Sequence, residues 1–489
     1  MLQPTLMALP QDGRAMVVPT SSEPTFGLLG LPLAAAAERC ALRKVKVAVV
    51  GFGYVGSCIG AVLAHKGFLV HGIEVDPRIV AAVRAGRAPV EEPGLSELIA
   101  DVVLEERLTI GSDLSAVSGC EVVLVTVGTP LGPDHGPDLG AVIAVAKALA
   151  PHLRKGHLVI LKSTVVPKTT TEVVVPLLQH GSGLRQGVDF GVAFCPERFE
   201  EGNALRQLRN LPVVVGATSP QVGATVAAFW ESAGLTTMRV ASPTAAELVK
   251  LADNLWIDLN IALANELALL AAPLGVDALE VIAAANTLPK GQHAVNIMTP
   301  GAGVGGSCLT KDPYFVHQLG RTLGMELRLP LAGRAANEAM PAVMATLAAE
   351  VAQAIGKAPG SCAALLLGIS FKPDTDDIRG TTALPLAEAL GARGFAVLCH
   401  DPCIRSGRRP ALPTGAAWVD DLLESVRGGP VLVLHTAHGV YRSQVAALLT
   451  ALPRPGGVVD GRFVFDPQAV ASAGHHFRGI GRPPLVPRP

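Results

Sequence analysis

Short apolar runs alternate with amphipathic stretches through most of this chain. Residues 45–50, Val-Lys-Val-Ala-Val-Val, read as a buried strand that leads into Gly51-Phe-Gly53-Tyr54-Val55-Gly56 and a helix-like stretch over 57–66. A second strand over 68–75 brings Glu74 and Asp76 to its carboxyl end, close to 20 residues past the glycines. Further strand-like runs at 121–126 and 157–161, with an amphipathic helix over 139–149 between them, predict a doubly wound parallel sheet.

Pro243 followed by Thr244-Ala-Ala-Glu247 signals a helix start, with Thr244 as the cap and Glu247 reaching back. Helix-forming residues then continue to about Ala272, long enough to bridge two domains. Lys250, Asn254 and Asp258, four apart, share one side of that helix; on spacing alone they read as a solvated stripe sooner than as a site. From Cys362 the α/β alternation restarts, with strands to Ile369, over 395–400, 431–435 and 458–460, and a helix over 382–393. The first turn of this second unit, Gly368-Ile-Ser-Phe-Lys-Pro-Asp374, has no glycine fingerprint, so a different ligand is expected there. The predicted fold class is therefore α/β, two doubly wound Rossmann-like domains joined by a long central helix and an α-helical domain. The expected boundaries are a loose extension over 1–42, a first sheet domain over 43–241, a helical domain over 242–345, a second α/β domain over 346–478, and a mobile Pro-rich tail over 479–489.

Composition narrows the partners. A chain of 489 residues exceeds one ordinary core. Its 40 Lys and Arg against 41 Asp and Glu leave no global field to recruit nucleic acid or an anionic membrane. Mean hydropathy of +0.41 comes from Ala, Val and Leu scattered through α/β patterns, and no membrane span is expected. Residues 210–230, the longest uncharged stretch, read as strand, loop and helix start. Eight sparsely spaced cysteines suggest a reducing cytoplasm rather than a disulfide framework. Cys399 and Cys403 flank His400 and Asp401, which is weak metal spacing, and no metal site is expected.

Two segments carry chemistry. In Gly51-x-Gly53-x-x-Gly56 the first glycine makes the turn, the second admits a pyrophosphate, and the third lets helix and strand close up. Glu74 is placed for the adenosine ribose and would repel a 2′-phosphate, so NAD is the expected cofactor. The second segment, from Gly301 through Gly305-Gly306-Ser-Cys308-Leu-Thr-Lys311-Asp312, delivers a cysteine on a glycine loop next to a lysine and an aspartate. Lys311 near Cys308 would favour the reactive thiolate, whereas a buried inert cysteine is the plain alternative. Together, a dinucleotide site and a nucleophilic cysteine imply aldehyde oxidation through a thiohemiacetal and a thioester.

Those motifs, with Glu92-Pro-Gly-Leu95, Gly128-Thr-Pro130, Lys162-Ser-Thr-Val165, Pro196-Glu197 and Phe371-Lys-Pro-Asp-Thr-Asp-Asp-Ile-Arg379, resemble the UDP-glucose/GDP-mannose dehydrogenase family over about residues 45–465. The resemblance implies an NAD domain, a helical domain that builds a homodimer, and a domain that binds the nucleotide diphosphate. It also implies two hydride transfers at C6 of the sugar, giving a uronate and two NADH.

Residue by residue, it implies that Cys308 attacks the aldehyde and that Lys250 and Asn254 stabilise the alkoxide or thiohemiacetal oxygen. Asp312 helps activate water, and Glu197 and Glu201 lie near the reacting carbon. Lys250 as proton acceptor would need its pKa lowered by burial. Gly51, Gly53, Tyr54, Val55, Gly56, Glu74, Thr129, Ser163, Thr164 and Lys311 fall on the cofactor side, and Arg198, Gly305, Gly306, Lys372, Arg379 and Arg462 on the substrate side, Arg379 across the dimer. The family usually continues Arg-Glu-Ser or Arg-Asn-Ser where this chain has Arg379-Gly-Thr, which leaves ordinary surface charge as a reading there.

Cys195-Pro-Glu-Arg198 and the stretch around Trp256 resemble the UDP-N-acetylhexosamine 6-dehydrogenases more than the UDP-glucose enzymes. A UDP-glucose 6-dehydrogenase is the near alternative. A two-electron hydroxyacid-type dehydrogenase or a non-catalytic nucleotide-sugar-binding protein are the distant ones.

Overall fold

The computed structural model describes residues 27–132 and 135–487. Eight strands form the first sheet: β1 (Lys46–Val50), β2 (Leu69–Ile73), β3 (Leu108–Gly111), β4 (Val122–Val125), β5 (Leu158–Leu161), β6 (Gly191–Phe194), β7 (Val213–Ala217) and β8 (Thr237–Val240). They lie in the order β3-β2-β1-β4-β5-β6-β7-β8, all pairs parallel except β6 with β7. Valine- and leucine-rich strands such as Val122–Val125 are buried throughout, as a sheet covered by helices on both faces requires. The strand order reverses between β1 and β4, so a crevice opens beyond their carboxyl ends.

The central helix Pro243–Ala271 leaves this sheet and packs against a second long helix, Leu329–Ala354. Between them in sequence come a short helix, Ala278–Ala285, a small hairpin of β9 (Pro289–Lys290) and β10 (His293–Ala294), the glycine loop, and a helix, Asp312–Thr322. By length and composition the segment Pro243–Leu274 would suit a bilayer. One face of it, however, buries Glu247, Lys250, Asn254, Asp258 and Asn265 against protein, which a lipid-facing helix does not do.

The second sheet holds β11 (Ala363–Leu367), β12 (Ala396–His400), β13 (Ala416–Trp418), β14 (Val431–Leu434), β15 (Gly456–Asp460), β16 (His475–Gly479) and β17 (Arg482–Leu485). Its order is β13-β12-β11-β14-β15-β16-β17, parallel except for the last pair, with the same reversal point between β11 and β14. The α/β class with two Rossmann-like units and a long helix between them is thus as expected.

Four local expectations change. Of the extension expected to be loose, residues 1–26 lie outside the described residues, but the part from Gly27 is packed. Leu28, Leu29, Ala36 and Cys40 join the core of the first sheet, and helix Leu33–Ala41 rests on helix Pro220–Ser232. The Pro-rich tail expected to be mobile supplies β17, antiparallel to β16. The central helix is capped by Ser242, which accepts from the Ala245 amide, and Thr244 lies inside it. Glu247 does not reach back; it accepts the amides of Lys168 and Thr170 at 2.6 and 2.7 Å, tying the helix to the first sheet domain.

Candidate active site

The first glycine turn has the geometry its residue types require. Gly51 has φ +86°, a left-handed conformation that favours glycine. A Cβ on Gly56 would sit 2.0 Å from the Gly51 carbonyl, whereas one on Gly53 would meet nothing, leaving open space over the turn. Helix Tyr54–His65 starts there with no side-chain cap, so its first amides are free to face an anion. Glu74 follows β2 and is fixed by the amides of Phe52, Val75 and Asp76 at 2.7, 2.8 and 3.1 Å. Across the crevice, Thr129 Oγ1 donates to the Thr164 carbonyl at 2.5 Å, and the buried Ser163 hydroxyl has no partner among the described residues. These features fit a dinucleotide. Tyr54 faces elsewhere: its hydroxyl donates to Glu92, which also accepts the amides of Gly202 and Ala204 at 2.6 and 2.8 Å.

Three separate segments meet beyond β6. The strand end delivers Pro196-Glu197, the central helix Lys250 and Asn254, and the glycine loop Cys308 with Asp312. Lys250 Nζ lies 3.5 Å from Glu197 Oε2, and both side chains are nearly buried. Asn254 Nδ2 donates to Asp312 Oδ2, while Lys311 Nζ holds Asp312 Oδ1 at 2.7 Å. Glu197 Oε1 is buried without a partner among the described residues, an open acceptor on the carboxylate that meets Lys250.

The charges answer one another. Burial pushes the Cys308 thiol up, and Lys250 is the largest influence pulling it back. Burial works to lower Lys250, but Glu197, Cys308 and Asp312 outweigh it and leave its pKa above the ordinary value. The lowered pKa that a proton-accepting Lys250 requires is therefore absent here; Lys250 is a cation, suited to holding a developing oxyanion.

Lys311, expected on the cofactor side, is spent on Asp312 and lies over the Phe315 ring at 4.6 Å. Arg198 pairs with Asp253 at 2.7 Å. Gly305 and Gly306 lie against Phe371, and the Gly306 amide donates to the Arg379 carbonyl at 3.1 Å, so the Cys308 loop sits directly beside the turn after β11. Lys372 donates to the Glu201 carbonyl, and Arg379 reaches Glu201 Oε1 at 2.6 Å within the same chain, bridging the two sheet domains. Burial and the neighbouring Asp377 push Glu201 up to about 7. Near Glu201 and Arg379 a cleft of about 530 Å³ opens between the domains, lined also by Tyr54, Val90 and Arg408. Arg462 does not point there: it donates to the His435 carbonyl at 2.9 Å and the Gly303 carbonyl at 3.3 Å, gripping the glycine loop.

Two motif residues to which the sequence alone assigns no role, Glu92 and Lys162, hold the site's framework. Glu92 joins the glycine turn to the 202–204 loop. Lys162, buried, donates to the Cys195 carbonyl at 2.9 Å beside the Trp230 ring and so fixes the strand end before Glu197; burial lowers its pKa. The Cys399–Cys403 cluster disperses: His400 bonds Tyr441 and Asp401 accepts backbone amides. Cys403 instead nears His438 and Asp374, but the His438 Nδ1 lone pair accepts the Asp374 amide at 2.9 Å.

A Rossmann sheet with an open glycine turn, a cysteine loop at its crevice and a second Rossmann sheet facing it define a two-domain nucleotide-dependent dehydrogenase. Family models agree with this description. Residues 45–233 match the NAD binding domain, 244–339 the central domain and 365–467 the UDP binding domain of the UDP-glucose/GDP-mannose dehydrogenase family. The chain belongs to that family and is an NAD-dependent nucleotide-sugar dehydrogenase. It is 33% identical over 438 residues to a UDP-N-acetyl-D-mannosamine dehydrogenase of Pyrococcus horikoshii, covering 90% of this chain and 99% of the relative. It is also 33% identical over 450 residues to a UDP-glucose 6-dehydrogenase of Pseudomonas aeruginosa, covering 90% and 98%. Among solved structures, the UDP-D-ManNAc dehydrogenase from P. horikoshii superposes with a TM-score of 0.79 at 32% identity, covering 89% of this chain and 99% of that one.

Proposed function

We propose that the protein oxidises the C6 hydroxymethyl of a UDP-N-acetylhexosamine to the carboxylate in two steps, through a thiohemiacetal and a thioester on Cys308. The observation that carries this reading is the convergence of Cys308, Lys250, Asn254, Asp312 and Glu197 from three segments at the crevice of an NAD domain. Two NAD molecules in succession would each accept one hydride, and the residues that would hold the cofactor are Gly51, Gly53 and Gly56 of the turn with Glu74, Ser163 and Thr164.

Cys308 adds through its sulfur to the C6 aldehyde, the thiol proton passing to the carbonyl oxygen as the thiohemiacetal forms, while the Lys250 ammonium and Asn254 amide hold that oxygen as negative charge develops on it. Because Lys250 is already charged, it steadies that oxyanion, and the C6 hydroxyl proton released in the first oxidation passes to Glu197, directly or through one water. The unpaired Glu197 Oε1 takes a hydrogen bond from a water or from the C6 hydroxyl. Asp312, held by Asn254 and Lys311, assists the water that cleaves the thioester. Lys372 and Arg379 take the diphosphate, releasing Glu201.

The N-acetylhexosamine assignment rests on Arg198 after Pro-Glu and on the mannosamine relatives. A UDP-glucose substrate is the second reading, favoured by the equally similar Pseudomonas relative. We also assign a homodimer formed through the helical domain in the cytoplasm, since Leu248, Trp256, Leu263 and Leu270 stand exposed along the central helix. The deciding assay is NADH yield per mole of limiting UDP-N-acetylmannosamine, UDP-N-acetylglucosamine or UDP-glucose, with Cys308→Ala in parallel. Two NADH from one sugar, stalled in the variant, is the expected result; one NADH untouched by the variant would sink the thioester route.

A further inference from the structure

Between the central helix and helix Leu329–Ala354 runs a buried chain of four polar side chains. Its two ends fasten the two ends of the loop that carries Cys308. At one end Asn265 Oδ1 accepts the Gly301 amide at 2.8 Å, and Asn265 Nδ2 donates to Asn337 Oδ1 at 2.9 Å. Asn337 Nδ2 in turn donates to Asp258 Oδ1 at 2.8 Å and to the Asp258 carbonyl at 3.0 Å. At the other end Arg334 Nη1 donates to Asp258 Oδ1 at 2.9 Å and reaches the Leu309 carbonyl at 3.4 Å. Asn265, Asn337 and Asp258 are 0% exposed and Arg334 is 3% exposed.

Stability gives no reason for such a chain. Burying a carboxylate and a guanidinium costs several kcal/mol of hydration per ion, by order of magnitude, and apolar side chains of the same volume hold two helices together as well or better. What the chain does that leucines would not is bind backbone at Gly301 and Leu309. The loop between those anchors has Gly303 and Gly306 at φ +102° and +93°, and four glycines among its first six residues, so by itself it has wide conformational freedom. Asp258 and Asn265 also lie on the same buried stripe as Lys250 and Asn254. One rigid helix thus presents the oxyanion-holding groups and, through the chain, fixes where the nucleophile stands.

We propose that Asn265, Asn337, Asp258 and Arg334 are positioning residues that tether both ends of the catalytic loop and hold Cys308 against Lys250 and Asp312. The proposal rests on Cys308 being the nucleophile, as read above.

Two variants cut the tethers separately. Asp258→Asn combined with Arg334→Met frees the Leu309 end, leaves no unpaired buried charge and keeps an acceptor for Asn337. Asn265→Leu frees the Gly301 end with a side chain of similar size. Each is compared with the unaltered protein for thermal midpoint, for NAD and UDP affinity, for kcat and KM, and for the rate and pH midpoint of iodoacetamide labelling at Cys308 in substrate-free protein.

The tether predicts NAD and UDP affinities within about twofold and KM little changed. It predicts kcat reduced roughly tenfold or more, because small misplacements of a reacting group cost that much. Labelling of Cys308 becomes faster and its midpoint falls, since a loosened loop loses the burial that raises the thiol. Unchanged kcat and unchanged labelling in both variants would overturn it. A fall in kcat matched by lost nucleotide affinity, with labelling unaltered, would likewise overturn it by assigning a merely structural role. If the double variant fails to fold, Asn265→Leu carries the same comparison. The labelling comparison needs no substrate, so it decides the tether even if no UDP-sugar yields two NADH and the substrate reading fails.

Discussion

At the end of β1 the chain turns through Gly51, at φ +86°, and enters a helix whose first amides meet no side chain. At the end of β11 it turns through Gly368, at φ +89°, but the next two amides, Ile369 and Ser370, donate to Asp401 at 2.7 and 3.0 Å. The strand orders around the two turns correspond, β3-β2-β1-β4-β5 against β13-β12-β11-β14-β15. Each also places a carboxylate after its second strand that takes an amide of the first turn: Glu74 takes one, Asp401 two. The first turn is left to bind an anion with backbone. The second has spent its backbone, and positive charge enters instead from the side chains of Lys372 and Arg379. One strand order therefore carries two turns that offer different groups, open helix amides at the first and side-chain cations near the second.

That contrast can be broken most severely at the first turn. Gly56→Ala places a methyl 2.0 Å from the Gly51 carbonyl. Overpacking of this kind costs about 1–3 kcal/mol, and calorimetric NAD binding should be lost along with a lowered unfolding midpoint. Gly53→Ala, whose methyl meets open space in the free protein, should keep the unaltered midpoint and weaken only NAD affinity, separating cradle from scaffold.

Next comes Asp401. Burial pushes its carboxyl up, but the His438 ring and the Ser370 and Ile369 amides outweigh this and hold it at about 2. A carboxyl whose folded pKa lies below the ordinary 3.8 adds stability above that value and loses it as pH falls through about 2. Asp401→Asn should therefore cost about 1–3 kcal/mol in denaturant unfolding at neutral pH. The gap between variant and unaltered protein should close in the acid window, with NAD affinity unmoved throughout.

Removing a side-chain cation should act on the other ligand alone. Lys372→Ala or Arg379→Ala is expected to weaken UDP binding roughly tenfold, the scale of one charge-assisted hydrogen bond, and to leave NAD binding as it was. Loss of NAD affinity instead would show that the two turns are not independent.

The smallest effect belongs to Glu201. Its folded pKa of about 7 lies above the ordinary 4.5, so its contribution to stability is present below about 4.5 and lost as pH rises through about 7. Above about 7 the ionised carboxylate also holds Arg379 most firmly. UDP affinity of the free protein should fall a few-fold across that pH, and Glu201→Gln should flatten the profile.

Much of this contrast was legible in the residues. The glycine spacing, the missing fingerprint after β11 and the long central helix are local patterns, and local periodicity reports them faithfully. Cys308 stands out in the sequence by its glycine loop, whereas Lys250 and Asn254 are lifted out of a solvated stripe only by the family resemblance; the structure brings the three near one another. Contacts made across the chain were not legible. Glu247 looks like a helix-start partner, yet its bonds reach Thr170, 77 positions away. Arg462 looks like a ligand-binding arginine but grips Gly303, 159 positions away. Glu92 joins Tyr54 to Gly202 over a span of 110 positions to the latter. A carboxylate or guanidinium reads the same whether it meets solvent, substrate or a distant amide. Only the packing decides among them.

The segment from Gly27 to Ala41 has a consequence for the order in which the molecule assembles. Leu28 and Leu29 donate their amides to the Gly156 carbonyl at 2.9 and 3.2 Å, Arg39 pairs with Glu121 at 2.7 Å, and the helix rests on Pro220–Ser232. Every one of these seats is made long after the segment itself has left the ribosome. Its seats come from Glu121, Gly156 and helix Pro220–Ser232, so the full set of contacts that holds it requires some 200 residues of chain. The segment is thus a clasp closed by contacts of long sequence separation.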